Sequence, residues 1–337
     1  MHYMTKSKVA FLTEMGFEGK VPSNHSNMRT EFSWIYTLNA DHRSIHHYRE
    51  VKDYDHVFII FPKGKTFLSA EGSKLVNGTN PVSELLRQEV VNVLRVGGNK
   101  KIHYVQEGPH WWYNDYEVGD QIYFYNLVAG CDSIFAHNES DTQFYKGMFP
   151  GKPVHVIPSL MIEESVGFIS TTKEDKVIIG GNFARWYGGF ESYTIASIFD
   201  LPIWAQTSHA TRVEESLIAG LKHLPRMLWT DWITALSEFK YAVHLMPTVA
   251  AGTFSLNCAY LGIPCIGNED VDTQRICHPA LSVKVSDVEK ARELALRLKQ
   301  DKGFYQECSR FAKYYYKTHY SLEVWKERMN KILNEAE

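Results

Sequence analysis

PTVAAGTFSLNCAYLGIPCIGNE, from Pro247 to Glu269, is the stretch on which the fold turns. It follows an apolar run, Tyr241 to Met246, that has the length of a buried strand. The stretch itself reads as a loop ending at Gly252-Thr253, a helix from about Phe254 to Leu261, a glycine stop at Gly262 and a second buried strand, Ile263 to Ile266. A small-residue loop that opens a helix aims several backbone N–H groups and the positive end of the helix dipole at one spot, which suits a diphosphate. Gly252 lets the backbone come close. Late in a long α/β chain, that geometry predicts a nucleotide-sugar site.

The 337 residues exceed what one hydrophobic core usually spans, so two domains are expected. A hydrophobic content of 44% and a charged content of 22% are ordinary for a globular protein. No apolar run reaches transmembrane length and the N-terminus lacks a signal-peptide pattern, so no membrane insertion and a cytoplasmic location are expected. The five cysteines, Cys131, Cys258, Cys265, Cys277 and Cys308, form no CxxC pair and read as reduced and buried. The histidines show no metal spacing, so no metal is expected. A net charge of −3, with neither half basic, argues against tight non-specific nucleic-acid binding.

Working outward, strand and helix signals alternate through both halves. In the first half the strands are Val9 to Leu12, Asp55 to Phe61, Ile102 to Gln106, Ser133 to Ala136 and Val154 to Ile157. Between them lie helices around Phe32 to Leu38, Val82 to Leu94, Gln121 to Ala129 and Asp141 to Met148. Pro158 to about Asp175 lacks periodicity and reads as a linker. The pattern restarts with strands Val177 to Ile179, Ile203 to Ala205, Arg226 to Trp229 and Tyr241 to Met246. Helices are expected at Tyr193 to Phe199, Arg212 to Ala219, Trp232 to Phe239, Val288 to Leu298, Lys302 to Tyr315 and Ser321 to Leu333. Strands separated by helices imply parallel sheets with covered faces. Two successive α/β halves predict two Rossmann-like domains facing across a cleft, with ligands beyond the carboxyl ends of the strands. No GxGxxG follows the first strand and no GxxxxGK[ST] occurs, which disfavours a dehydrogenase and a P-loop kinase.

Four stretches carry a family resemblance. DSIFAHNESDTQFYKGMFPGKPVHVIPS (Asp132 to Ser159) looks like the end of an acceptor domain. KVIIGGNFARWYGG (Lys176 to Gly189) looks like the first strand and glycine loop of a donor domain. MLWTDWITALSEFKYAVHLMP resembles the strand–helix–strand before the donor loop, and the final helix a segment that crosses back to the first domain. Together they resemble GT-B glycosyltransferases, especially the family-four-like group. The runs NMRTEFSWIYTLNADH and AAGTFSLNCAYLGIPC look more like glycosyltransferases of large tailed phages, some of which modify hydroxymethylated cytosine in phage DNA. The resemblance implies an acceptor domain over 1–158, a donor domain over 176–315 and a crossing helix over 316–337. It implies a nucleotide diphosphate sugar as co-substrate, no resident cofactor and no metal. The family's glycine-loop arginine matches Arg185. Its pair of glutamates flanking the donor helix is missing, because Val249 and Asn257 stand at those places.

The donor-binding candidates are Arg185, Gly181, Thr230, Gly252, Thr253, Phe254 and Asn257. A bidentate guanidinium suits a pyrophosphate. Thr253 and Phe254 offer N–H groups at a helix start, Asn257 a ribose contact, and Thr230 with Trp232 a flank for the base. Trp232 also reads as ordinary core. For the catalytic base the candidates are Glu107 and His110 in EGPHWWY, directly beyond a strand, and Glu18 in the loop after the first strand. Trp111 and Trp112 offer stacking surfaces to an acceptor, and Arg29 a cation. The locally basic set His42, Arg43, His46, His47 and Arg49 is where phosphate contacts are expected if the acceptor is duplex DNA. The expected activity is transfer of a hexose or pentose from a nucleotide diphosphate sugar, UDP-linked, to an acceptor hydroxyl. The acceptor is 5-hydroxymethylcytosine in DNA, or a glycan or small molecule; a nucleotide-sugar-binding protein without catalysis is the non-enzymatic alternative.

Overall fold

The computed structural model describes residues 7–13, 18–60, 94–95, 100–111, 118–157, 159–181, 183, 186–206 and 213–335. Arg185, Trp112 and the expected helix Val82 to Leu94, except its last residue, lie outside them. Contacts divide the chain into two units. The first comprises Met1–Pro22, Trp34–Ile157 and Lys326–Glu337, the second Ser23–Ser33 and Pro158–Trp325. The segment Ser23–Ser33, inside the expected first domain, thus clusters with the second unit, where Thr230 N–H donates to Ser26 O (3.4 Å) and Ser165 Oγ to Ser23 O (2.6 Å).

The first unit is built on strands β1 (Val9–Thr13), β2 (Gly19–Lys20), β3 (Asp41–Ser44), β4 (His56–Ile60), β5 (Lys101–Val105), β6 (Ser133–Ala136) and β7 (Val154–Val156). Their order is β2-β3-β1-β4-β5-β6-β7, parallel except for the antiparallel edge strand β2. β1 and β4 are buried at every position, as strands covered on both faces must be. Phe11 stacks on Phe58 at 4.6 Å across the β1–β4 pair. Each such side chain contributes roughly 1.5–3 kcal/mol by leaving water. Helices Val118–Gly130 and Glu139–Met148 pack on this sheet.

The second unit carries β8 (Glu174–Ile179), β9 (Ile203–Gln206), β10 (Leu221–Leu224), β11 (Phe239–His244), β12 (Cys265–Asn268) and β13 (Ser282–Val283). All pairs are parallel, in the order β10-β9-β8-β11-β12-β13. That is the strand order of a dinucleotide-binding sheet. The expected linker is laid against this unit: Ser170 N–H donates to Ser237 Oγ (2.8 Å), Lys173 Nζ to Ser237 O (2.6 Å), and Tyr316 OH to Glu163 (2.9 Å). The expected strand Arg226 to Trp229 is instead a connection leading into helix Trp229–Leu236, and the strand lies at Leu221–Leu224. Among the described residues no helix is long and apolar enough to cross a membrane.

Candidate functional site

In the second sheet the chain leaves β8 toward β9 and β10, then returns to lay β11 on the other side. β8 and β11 therefore flank the point where the strand order reverses, and ligands of such sheets sit beyond the carboxyl ends of those strands. Two helices begin there, Gly189–Ala196 after β8 and Thr253–Leu261 after β11. Their N-caps are Gly188 (φ 62°) and Gly252 (φ 70°), left-handed positions that suit glycine, and neither supplies a side-chain cap. The first-turn N–H groups of both helices are thereby left for a ligand or water, at the positive ends of two dipoles.

The loop entering the second of these helices is fixed from several sides. Leu245 N–H donates to Ser192 Oγ (2.9 Å) and Asn268 Nδ2 to Met246 O (3.0 Å). Ser159 Oγ donates to Ala251 O (3.0 Å), and Thr273 Oγ1 donates to Gly252 O (2.8 Å). These bonds aim the free amides before any ligand arrives, which is the condition for an anion site that needs no reorganisation. In front of the loop lies a cavity of about 240 Å³, with Arg29, Trp232, His244, Gly252, Thr253 and Asn257 among its walls.

Three atoms of the lining, His244 Nε2, Asn257 Oδ1 and Gln274 Oε1, are buried without a hydrogen bond among the described residues. Burial pulls the His244 imidazole down to about 4, so it is neutral at pH 7. Orphaned buried polar atoms in a cavity wall are the mark of a site that a polar ligand completes. Arg29 forms no ion pair with an acidic side chain among the described residues, so its guanidinium is available to an anion.

His278 supports the same helix from below, its Nε2 bonded to Ser255 O at 3.0 Å. Burial lowers its pKa to about 4 from 6.5. The unfolded imidazole takes up a proton below about pH 6.5 and the folded one does not. The stability this provides is complete above pH 6.5 and is lost as pH falls toward 4, with a ceiling of about 3 kcal/mol. His278→Gln is expected to flatten the fall of denaturation midpoint between pH 6.5 and 4. An unchanged slope would show that His278 is not the titrating group.

The first unit holds a different constellation. His110 lies just past β5, and its Nδ1 is 2.6 Å from Asp141 Oδ1, a fully buried carboxylate in the first turn of helix Glu139–Met148. The other carboxylate oxygen accepts from Gln106 Nε2 (2.7 Å) and Asn138 Nδ2 (2.8 Å), while Asp141 N–H donates back to Asn138 Oδ1 (2.8 Å). The carboxylate is held on every side, so it fixes the imidazole tautomer with the proton on Nδ1 and leaves the Nε2 lone pair as a proton acceptor. The His110 ring also stacks on Phe144 at 4.3 Å and remains 30% exposed. The structure thus pairs a sequence candidate with a residue that sequence reasoning missed. The signal that could have found Asp141 is the Asn138-x-x-Asp141 capping arrangement.

The other candidates fall as follows. Gly252, Thr253, Phe254 and Asn257 all line the cavity of the second unit. Arg29, expected on the acceptor side, lines that same cavity. Gly181 follows β8 and lies against Tyr187, itself a wall. Thr230 is not part of the lining, whereas Trp232 is. Glu107 and Trp111 flank His110 in the first unit's loop. Glu18 is engaged otherwise: its carboxylate accepts from Ser44 N–H (2.8 Å) and faces Arg43 and His47, each at 3.5 Å. Of the expected basic set, Arg43 and His47 face Glu18, His42 is buried against Thr13 Oγ1 (2.6 Å), and Arg49 lies over the Tyr48 ring. Among the described residues no group of three or more His, Cys, Asp or Glu could hold a metal ion.

No protein-family model matches the chain, and no curated protein matches it in sequence. Solved structures do match. An alpha-glucosyltransferase in complex with UDP-glucose and DNA containing an abasic site superposes with a TM-score of 0.63 at 11% identity, covering 97% of this chain and 98% of that one. HepE of Anabaena, in complex with UDP and glucose, gives 0.64 at 8% identity over 97% and 99% of the two chains. The sucrose-phosphate synthase of Thermosynechococcus elongatus gives 0.63 at 9% identity over 97% and 98%. The mixed α/β fold with two parallel sheets is the one these GT-B glycosyltransferase structures share.

Proposed function

We propose that the chain is a glycosyltransferase that moves a sugar from a nucleotide diphosphate sugar, UDP-linked, to an acceptor hydroxyl. The observation that carries this reading is the cavity at the strand-order reversal, with two uncapped helix N-termini beside it and Arg29 in its wall. Amide N–H groups and a guanidinium suit a diphosphate both in the ground state and as a leaving group gaining charge. The proposed base is His110, whose imidazole Asp141 orients. His110 Nε2 takes the acceptor's hydroxyl proton while the freed oxygen bonds to the anomeric carbon and the carbon–phosphate oxygen bond breaks. Asp141 stabilises the imidazolium that results.

For the acceptor two readings stand. Hydroxymethylcytosine in DNA follows from the phage resemblance, and one similar structure is described in complex with DNA. A small-molecule acceptor is favoured by the first unit itself, where Arg43 and His47 are taken up by Glu18. We carry the small-molecule reading forward. The donor half is tested by thermal shift against UDP, GDP, ADP and their sugars. Arg29→Ala is expected to weaken the preferred nucleotide roughly 10- to 100-fold, the loss of one charge-assisted hydrogen-bonding group. Unaltered affinity would remove Arg29 from the site.

A further inference from the structure

We infer that Gln106 is a positioning residue for the base: one buried side-chain amide locks the turn that carries His110 to the carboxylate that orients it. The inference deepens the reading above and rests on His110 being the base. Gln106 directly follows β5 and is 2% exposed. A buried amide needs partners for its N–H groups and for its oxygen. Here the partners all lie where β5 and β6 end. Gln106 Nε2 donates to Gly108 O (2.7 Å) and to Asp141 Oδ2 (2.7 Å), and Oε1 accepts from His137 N–H (3.2 Å). Two acceptors on one side and a donor on the other also fix which end of the amide is nitrogen.

Each bond has its own consequence. The bond to Gly108 O closes the turn that leads to His110. Gly108 is left-handed (φ 68°) and a proline of fixed φ, Pro109, follows it, so the turn keeps little freedom once that carbonyl is held. The bond to Asp141 acts on charge. Asp141 is fully buried, and a carboxylate removed from water persists as an anion only where donors replace that water. Gln106 and Asn138 supply the two donors on Oδ2, which leaves Oδ1 for the imidazole. The bond from His137 ties the amide to the end of β6, just ahead of the helix that bears Asp141. The place of the imidazole and the charge of its partner are thus set by the same side chain. Gln106→Glu separates this role from packing. It keeps the shape, removes the N–H groups and sets a second carboxyl beside Asp141. Two carboxylates in contact demand a compensating proton, so His110 holds its own to higher pH. General loosening has the opposite sign, because an imidazolium drawn away from Asp141 releases its proton earlier.

The test reads His110 in the full chain by NMR of isotope-labelled histidine, its signals assigned by their loss in His110→Ala. No donor or acceptor is needed. The parent is expected to show one neutral tautomer, with the proton on Nδ1. In Gln106→Glu the midpoint of the His110 titration is expected to rise by about one pH unit or more. The rising limb of UDP release from UDP-glucose, with glycerol as the acceptor alcohol, is expected to move with it. An unmoved or lowered midpoint overturns the inference. Gln106→Met removes the hydrogen bonds without adding charge and serves as the second variant. It is expected to give mixed tautomers and UDP release slower by roughly tenfold or more, with UDP affinity unchanged. A single Nδ1–H tautomer kept in Gln106→Met overturns the inference as well. The two levels separate: a raised midpoint in a chain that binds no nucleotide sinks the transferase reading alone, and UDP release that depends on His110 but is indifferent to both Gln106 substitutions sinks this inference alone.

Discussion

His110→Ala is expected to lower the rate of sugar transfer by roughly 10²- to 10⁴-fold, the range over which a positioned general base acts. The affinity for the donor nucleotide should not move, because His110 is not among the described residues that line the cavity proposed for it. Asp141→Asn probes the same proton transfer from behind. An amide there can no longer hold the imidazole in the tautomer with its proton on Nδ1, so the rate should fall even though the hydrogen-bonding geometry is nearly kept. His110→Gln is not expected to rescue, since an amide cannot accept and carry a proton. Steady-state transfer with near-UV circular dichroism as a fold control measures all three. Transfer within twofold of the parent for His110→Ala would assign the base elsewhere.

Gly252→Val is expected to abolish nucleotide binding. A β-branched residue in the left-handed region costs roughly 1–3 kcal/mol of backbone strain. Its Cβ would also collide with Thr273 Oγ1, the group that holds Gly252 O and bonds Ser255 Oγ. Relief of that collision moves either the loop or helix Asp272–Cys277, and in both cases the amides of Thr253 and Phe254 lose their aim. Gly262→Ala is the control. Gly262 closes the same helix in the same backbone region (φ 66°), but a Cβ there meets the flexible end of Lys313. It should cost stability while leaving nucleotide affinity intact. Equal loss of binding in the two variants would mean that general destabilisation, not the aim of the loop, is being read.

Much of this architecture was legible in the residues, and the exceptions have physical causes. Parallel strands covered on both faces are short continuous apolar runs, so β1, β4, β6 and β11 announce themselves in the composition. β10 is an edge strand of four residues, LKHL, half of them polar, and offers no such run. Helix Asp272–Cys277 is shorter than two turns and shows no period. The site followed the same rule. The loop at Gly252 is contiguous in sequence and was readable. The His110–Asp141 pair spans 31 positions and exists because β5 and β6 are neighbours in the sheet, which periodicity does not reveal. Arg29 was readable as a cation for the acceptor, but not as part of the second unit. Its segment, Ser23–Ser33, clusters with that unit and is bonded to it at Ser23 and Ser26.

Calorimetric titration of the full chain with UDP, UMP and uridine tests the central claim most directly. If the amides at Gly252 and Thr253 and the Arg29 guanidinium grip a diphosphate, UDP binds at least about tenfold more tightly than UMP, and uridine binds more weakly still. Equal affinity for UDP and UMP, or no binding by any nucleoside diphosphate, would contradict it.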